Sequence, residues 1–135
     1  MIAIVDTGPL FAAADVDDAN HDAALAVLER TDLDLVIPSL VVAETACLLQ
    51  SRLGPRVEAR FLRGLSTLDV EAPHPDDWIR IADLVERYAD FPLGGADASV
   101  IALAERLGTE LVITLDRRHF GAVRPRHCEA LQLLP

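Results

Sequence analysis

Short runs of aliphatic residues recur along the chain, and longer segments between them carry apolar residues at every third or fourth position. The short runs are typical of buried strands, and the 3.6-residue repeat is typical of amphipathic helices. The predicted strands are Ile2–Val5, Leu35–Ile37, Leu68–Val70, Leu111–Thr114 and Leu131–Leu134. Because strands alternate with helices, the pattern predicts an α/β fold with three α/β/α layers around a central parallel sheet of about five strands.

Residues that begin or end helices place two consecutive helices in the middle of the chain. Ser39 can cap a helix that runs to about Leu53, where Gly54 ends it. Pro55 suits the first turn of the next helix, which we expect to reach about residue 66. The sequence therefore predicts a pair of helices that meet at Gly54 and Pro55.

Apolar spacing predicts the remaining helices. The first covers residues 19–30, and its expected apolar face comprises Ala23, Val27 and Leu28. Another begins at Pro75, with an expected apolar face of Trp78, Ile81, Ala82 and Val85. The last long helix spans roughly Ala96–Leu107 and ends at Gly108.

Length and composition fit one compact domain over residues 1–135, with 51% hydrophobic and 25% charged residues. The longest apolar runs are too short to cross a bilayer, and the first residues lack a secretory signal, so we expect a cytoplasmic protein without a membrane partner. Cys47 and Cys128 lie in apolar sequence, which favours reduced, structural thiols over the alternative of a disulfide. The histidines show no zinc-type pairing.

Four carboxylates occupy positions in otherwise apolar sequence. Asp6 and Asp116 follow the first and fourth predicted strands, at the strand ends where sites form in parallel sheets. Glu44 lies one turn inside an apolar helix, and Asp97 lies in the first turn of another, where the helix dipole favours the ionised form. Taken alone, each acid has a simpler explanation as a turn residue, a cap or one half of an ion pair.

Together, the four acids indicate a metal site. Carboxylates that share a crevice repel each other, which raises their pKa values. A hard divalent cation relieves the repulsion, and a set of oxygen ligands suits Mg²⁺ or Mn²⁺. The sequence therefore predicts that the acids converge on Mg²⁺ (or Mn²⁺), with one or two ions both possible.

Four segments resemble the PIN-domain ribonucleases, specifically the VapC-type toxins of bacterial toxin–antitoxin pairs. In chain order they read "IVDTGPL", "PSLVVAETACLL", "LGGADASVIALAERLG" and "VITLDRRHF". They have the order and spacing of the family and cover essentially the whole chain. The resemblance implies a PIN-like fold and a metal-dependent endoribonuclease that cleaves structured RNA, of the tRNA or rRNA class, to inhibit translation.

The resemblance also implies roles for individual residues. By motif match, the acidic active-site and metal-binding residues of the family correspond to Asp6, Glu44, Asp97 and Asp116. Asp6 and Asp97 correspond to the most direct metal ligands, and the other two acids complete the pocket directly or through water. Thr7 and Thr114 resemble the hydroxyl positions beside the first and last acids, where a hydroxyl orients a carboxylate or a water.

The net charge of −10 requires that RNA be held by local positive groups, and the chain has no lysine. The candidate RNA-binding residues are Arg56, Arg60, Arg63, Arg117 and Arg118. The first three share one helical stripe, and the last two follow Asp116 directly, where they can grip phosphates. A solvated arginine face is the alternative. We expect His119 to pack or hydrogen-bond locally rather than act as a general base.

Partners are implied by the resemblance as well. Val57, Phe61 and Leu65 form an apolar stripe whose simplest role is core packing. In the family, the paired helices around Gly54 and Pro55 often form the groove that holds the antitoxin. We therefore expect a small VapB-type antitoxin, which inserts an arginine into the acidic pocket, and a homodimer of the toxin.

Other proteins with an aspartate after their first strand fit less well. A haloacid-dehalogenase-type phosphatase needs a second acid two residues later, where this chain has Gly8, and a receiver domain needs a lysine. The remaining alternative is a catalytically inactive PIN-like module that binds RNA or protein.

Overall fold

A five-stranded parallel sheet forms the centre of the computed structural model, which describes residues 1–135. Its strands are β1 (Ile2–Val5), β2 (Asp34–Pro38), β3 (Asp69–Glu71), β4 (Leu111–Ile113) and β5 (Gln132–Leu134). They are arranged in the order β3-β2-β1-β4-β5, and every neighbouring pair is parallel. Helices flank the sheet, so the predicted α/β/α fold is confirmed.

The central position of β1 places its carboxyl end at the edge where strand order reverses. Ile4 lies opposite Val36 of β2 and Val112 of β4, and all three are buried. From β1 the chain runs outward to β2 and β3, and it then crosses to the other side of β1 to form β4 and β5. This reversal leaves a crevice beyond the carboxyl ends of β1 and β4. This crevice is the expected place for a site.

Seven α-helices connect the strands. They are α1 (Thr7–Ala14), α2 (His21–Leu28), α3 (Ser39–Leu53), α4 (Pro55–Gly64), α5 (Pro75–Arg87), α6 (Gly95–Leu107) and α7 (Arg117–Ala122), and a 3₁₀ turn over Leu65–Thr67 follows α4. None of them combines the length and the hydrophobicity of a membrane-spanning segment. In α6, every residue from Ala98 to Ala104 is buried, which makes it the most enclosed helix.

Two helix starts differ from the prediction. Residues 7–14 form α1, a helix that the apolar spacing did not predict. Pro9 is compatible with it because it lies in the first turn, where its missing N–H costs no hydrogen bond. Ser39 is the first residue of α3 rather than its cap, and Pro38 occupies the cap position without a side-chain hydrogen bond.

The buried face of α5 also differs from the predicted one. Ile81 is buried as expected, but Trp78 and Val85 are exposed, and the buried stripe contains Asp77 and Leu84 instead. The sequence carries two overlapping apolar stripes in this helix, and tertiary contacts select one of them. The chosen stripe brings polar residues toward α6.

Ion pairs between α5 and α6 explain this choice. Arg80 donates from Nε and Nη2 to the carboxylate of Glu105 over 2.9–3.1 Å. Arg106 donates from Nε to Oδ2 of Asp77 over 2.8 Å. The bidentate Arg80–Glu105 pair and the single Arg106–Asp77 bond are partly enclosed, and they add directional contacts to the apolar packing. They fix the helix that begins two residues before Asp97.

Two smaller expectations about burial are wrong. In α2, Val27 is buried as expected, but Ala24 is buried in place of Ala23. Cys47 is exposed on α3 although its sequence neighbours are apolar, and Cys128 is half-buried. Both thiols are free, so the alternative of a disulfide is excluded in this structure.

Candidate metal and active site

Asp6 directly follows β1 and is buried at the floor of the crevice, with 5% of its surface exposed. The hydroxyl of Thr114, which follows β4, donates to its Oδ2 over 2.7 Å. Its other oxygen, Oδ1, is buried and has no hydrogen-bond partner. A buried carboxylate oxygen without a donor is energetically costly, so this atom lacks the partner that its charge requires.

The electrostatic surroundings of Asp6 reflect this cost. Burial raises its pKa from 3.8 to about 6, against the lowering effect of hydrogen bonds from the Thr114 hydroxyl and the Thr7 backbone. The negative charges of Asp97 and Glu44 raise the pKa further. These two acids therefore lie close enough to act on Asp6, as the sequence predicts.

Asp97 lies in the first turn of α6, where it is half-buried. Its Oδ2 accepts a hydrogen bond from the backbone N–H of Gly94 over 3.4 Å. Burial raises the pKa of Asp97, and the charges of Glu44 and Asp116 raise it as well, whereas the Gly94 hydrogen bond lowers it. The hydrogen bond at the start of α6 therefore only partly offsets the effects that raise the pKa of Asp97.

Glu44 is exposed, which corrects the expectation that its apolar sequence neighbours leave little solvated face nearby. It lies on the outward side of α3 with Cys47, one turn further along. The hydroxyl of Thr7 donates to its Oε2 over 3.0 Å. This contact holds the carboxylate toward the start of α1, beside Asp6.

Asp116 caps α7 and is held by a single residue. The backbone N–H of His119 donates to Oδ1 over 2.9 Å, and Nδ1 of the same residue lies 2.8 Å from Oδ2. The hydroxyl of Thr114 accepts from the backbone N–H of Asp116 over 3.0 Å while it donates to Asp6. Thr114 thus links the two acids at the strand ends, and His119 hydrogen-bonds locally, as expected.

All four acids line one open cavity of about 460 Å³, together with Thr7, Gly8 and Leu115. No three His, Cys, Asp or Glu side chains anywhere in the structure are arranged as simultaneous ligands of one ion. Mg²⁺, however, usually keeps several waters and binds through one or two carboxylates. The unpartnered Oδ1 of Asp6 and the oxygen-only donor set fit such a hydrated ion, and the complete four-acid ligand set stays a prediction.

The predicted RNA-binding arginines lie outside this cavity. Arg117 donates from Nη2 to the backbone carbonyl of Pro135, and the guanidinium of Arg118 lies 5.2 Å from the ring centroid of Phe91. The arginines of α4, at positions 56, 60 and 63, are all exposed. Their role in RNA binding stays a prediction.

One contact near the site has no counterpart in the sequence analysis. Nε2 of His119 lies 2.8 Å from the backbone carbonyl of Phe91, in the segment between α5 and α6. The two rings also pack, with centroids 4.6 Å apart. A carbonyl acceptor leaves no trace in side-chain patterns, so only the fold could reveal this contact.

Comparison with known proteins places the chain in a family. The sequence model of the PIN domain matches residues 3–124. Over 124 residues the chain is 36% identical to Ribonuclease VapC26 of Mycobacterium tuberculosis. The aligned region covers 90% of this chain and 92% of that protein.

Solved structures agree on the fold. The crystal structure of VapC20 of Mycobacterium tuberculosis, a sarcin-ricin loop cleaving toxin, matches with a TM-score of 0.80 and 21% identity over 89% of this chain and 94% of the other. VapBC2 from Rickettsia felis, bound to a DNA fragment from its promoter, matches with a TM-score of 0.71 and 17% identity over 100% of both chains. The chain therefore belongs to the PIN domain family and to its VapC-type branch.

Proposed function

We propose that this protein is a Mg²⁺- or Mn²⁺-dependent endoribonuclease and the toxin of a toxin–antitoxin pair. The observation that carries the proposal is the buried Asp6, which has an unpartnered Oδ1 and lines one open cavity with three further acids. A binding module has no need of so costly an arrangement. The relationship to a protein named as a ribonuclease supports the same activity.

The residues of the acidic pocket have different proposed roles. Mg²⁺, when held here, would supply a water of lowered pKa and neutralise charge on the scissile phosphate. Asp6 and Asp97 would hold the ion, and Thr114 orients Asp6 by donating to Oδ2, which leaves Oδ1 available. Glu44 and Asp116 would hold and orient water at the rim. We expect hydrolysis of this type to leave a 5′-phosphate and a 3′-hydroxyl.

The proposed substrate is structured RNA of the tRNA or rRNA class. The related fold of VapC20, which cleaves the sarcin-ricin loop, supports the rRNA class. Because the chain carries a net charge of −10, phosphates must be held by local arginines at the edge of the cavity. Arg118 is the best-placed candidate, since it follows Asp116 by two residues and is exposed.

An apolar cavity of about 320 Å³ supports the proposed antitoxin partner. It is lined by Leu10, Ala13, Ala14, Val16, Val57, Arg60, Phe61, Gly64, Leu65 and Leu68. No residue of α4 is fully buried, so the predicted stripe on this helix serves the core only in part and leaves apolar surface open. A peptide segment with apolar side chains matches this lining.

Helix α1 connects the apolar cavity to the acidic pocket. Thr7, at its start, lines the pocket, and Ala13 and Ala14, at its end, line the cavity. Seven residues of helix span only about 10 Å. An antitoxin segment bound in the cavity therefore needs few further residues to place an arginine among the four carboxylates.

RNA cleavage tests the function. Purified protein incubated with bacterial tRNA and rRNA should cut it with Mg²⁺ or Mn²⁺, and EDTA or Asp97→Asn should abolish the cutting. Expression should arrest bacterial growth, and co-expression of the neighbouring antitoxin gene should relieve the arrest. Failure to cleave, combined with an unchanged melting temperature in Mn²⁺, would favour the inactive binding module instead.

The exposed face of α5 supports the proposed homodimer. Trp78, Ile79 and Val85 are 51%, 65% and 37% exposed, which is unusual for apolar side chains on one helix. When two copies of α5 pack antiparallel about a twofold axis, Trp78 meets Val85 of the second copy. Each copy then presents the same apolar patch to the other, so the contact is isologous.

Substitution Ile79→Glu should convert the dimer to a monomer, because each copy would bring a carboxylate into a contact formed by apolar side chains. Size-exclusion chromatography with light scattering should then give the chain mass of 14.6 kDa, and twice that mass for the wild type. Val16→Glu is the matched control, since Val16 is 77% exposed but lies at the apolar cavity. A dimeric Ile79→Glu variant would contradict the assignment.

A further inference from the structure

His119 contacts two parts of the site with its two ring nitrogens. Nδ1 lies 2.8 Å from Oδ2 of Asp116, and Nε2 lies 2.8 Å from the carbonyl oxygen of Phe91. Both partners carry acceptor oxygens, and each lies within hydrogen-bond distance of one ring nitrogen. The backbone N–H of His119 adds a third contact, to Oδ1 of Asp116.

These contacts fix the plane of the Asp116 carboxylate. Each of its oxygens receives one hydrogen bond from His119, and each keeps a second lone pair that can face the cavity. The ring itself is half-buried and packs against Phe91 with centroids 4.6 Å apart. The orientation of Asp116 therefore depends on one side chain that is itself held from two directions.

The contact to Phe91 extends this support to Asp97. Phe91 lies three residues before Gly94, whose N–H donates to the carboxylate of Asp97. His119 consequently connects the loop after β4 to the segment that leads into α6. The two acids on these elements repel each other, so a connection between their supports opposes their separation.

We propose that His119 is a positioning residue that orients Asp116 and ties it to the segment preceding Asp97. This inference rests on the proposed metal-dependent function of the pocket. His119 touches neither the cavity floor nor Asp6, and it acts through the carboxylate that it holds. Partners that orient metal-binding groups in this way typically change metal affinity or activity by about 10–100-fold when removed.

Three substitutions separate the two contacts of the ring. In His119→Asn the amide nitrogen can replace Nδ1 and keep the bond to Asp116, whereas in His119→Gln it can replace Nε2 and keep only the bond to Phe91. His119→Ala loses both. The matched control is His127→Ala, because His127 is also half-buried and its Nε2 lies 2.7 Å from a backbone carbonyl, that of Thr109.

Isothermal titration calorimetry of metal-free protein with Mn²⁺ alone tests the inference. We expect His119→Ala and His119→Gln to raise the Kd by about 10-fold or more, and His119→Asn to stay within about 3-fold of wild type. His127→Ala should leave the Kd unchanged while it lowers the melting temperature about as much as His119→Ala. This comparison separates positioning from a general loss of stability.

Two results would overturn the inference: wild-type Mn²⁺ affinity in His119→Ala, or affinity kept by His119→Gln and lost by His119→Asn. RNA cleavage is measured separately with bacterial tRNA and rRNA. If wild-type protein binds Mn²⁺ but cuts no RNA, the nuclease proposal fails and the titration series still decides the role of His119. If wild-type protein cuts RNA and the His119 series is flat, only the positioning role fails.

Discussion

Asp6→Asn should abolish RNA cleavage while the protein stays folded. The substitution keeps the shape of the side chain, and the amide oxygen can still accept the Thr114 hydrogen bond, but the charge required to hold Mg²⁺ is lost. Residues that only support a metal ligand change activity by about 10–100-fold, so loss of a direct ligand should exceed about 100-fold. Initial cleavage rates at saturating Mn²⁺ measure the effect.

The control for this experiment is Asp22→Asn. Asp22 is an exposed acid in the first turn of α2, outside the acidic pocket, and its neutralisation changes the net charge by the same amount. It should leave the cleavage rate within about 2-fold of wild type, in line with the small effects of exposed substitutions. Equal rates for wild type and Asp6→Asn would show that the carboxylates are wrongly assigned.

The same substitution should stabilise the metal-free protein. Because the pKa of Asp6 rises from 3.8 to about 6 on folding, its ionisation opposes folding at neutral pH by up to about 3 kcal/mol. An asparagine carries no charge, so its burial lacks the ionisation cost that burial imposes on the Asp6 carboxylate. We therefore expect the free energy of unfolding to increase by about 1–3 kcal/mol at pH 7.

The pH dependence of this gain has a defined sign. The folded protein holds the Asp6 proton more tightly than the unfolded chain, so the stability of the wild type should fall as the pH rises from about 4 to about 6. Asp6→Asn lacks this titration, and its advantage should disappear below about pH 4. Urea unfolding in EDTA across this range measures the difference, with Asp22→Asn as the flat control.

Addition of metal should reverse the ranking. Mn²⁺ binds the folded wild type and so raises its melting temperature, whereas Asp6→Asn should respond weakly. A variant that is more stable without metal and inactive with it is the expected signature of a site that trades stability for function. A less stable Asp6→Asn at pH 7, or a gain independent of pH, would contradict the electrostatic account of Asp6.

The sheet could be predicted because its strands are short apolar runs between helix signals. β1 was placed at its observed bounds, and the other four strands within about one residue at each end. Gly108 ends α6 in the left-handed conformation (φ 68°), which is the role that its position in the sequence indicates. Asp6, Asp97 and Asp116 were recognisable because each interrupts or borders such an apolar segment.

Features that depend on tertiary contacts could not be predicted in this way. α1 was missed because Gly8 and Pro9 are typical of a turn, although Pro9 in a first turn is also compatible with a helix. The apolar face of α5 was assigned to Trp78, since spacing does not reveal that Asp77 pairs with Arg106 of α6. Glu44 was expected to be enclosed because its sequence neighbours are apolar. The expectation failed because neighbouring residues of a helix point to different sides.

The dual position of α1 restricts how this toxin can evolve a new inhibitor specificity. One end of the helix shapes the pocket through Thr7, and the other end contributes wall to the apolar cavity. A substitution that shifts this helix to exclude a non-cognate antitoxin would also move Thr7 and so disturb the acidic pocket. If the antitoxin binds the apolar cavity as proposed, divergence between related pairs should accumulate on α4 and around Val16, which line the cavity but not the acidic pocket.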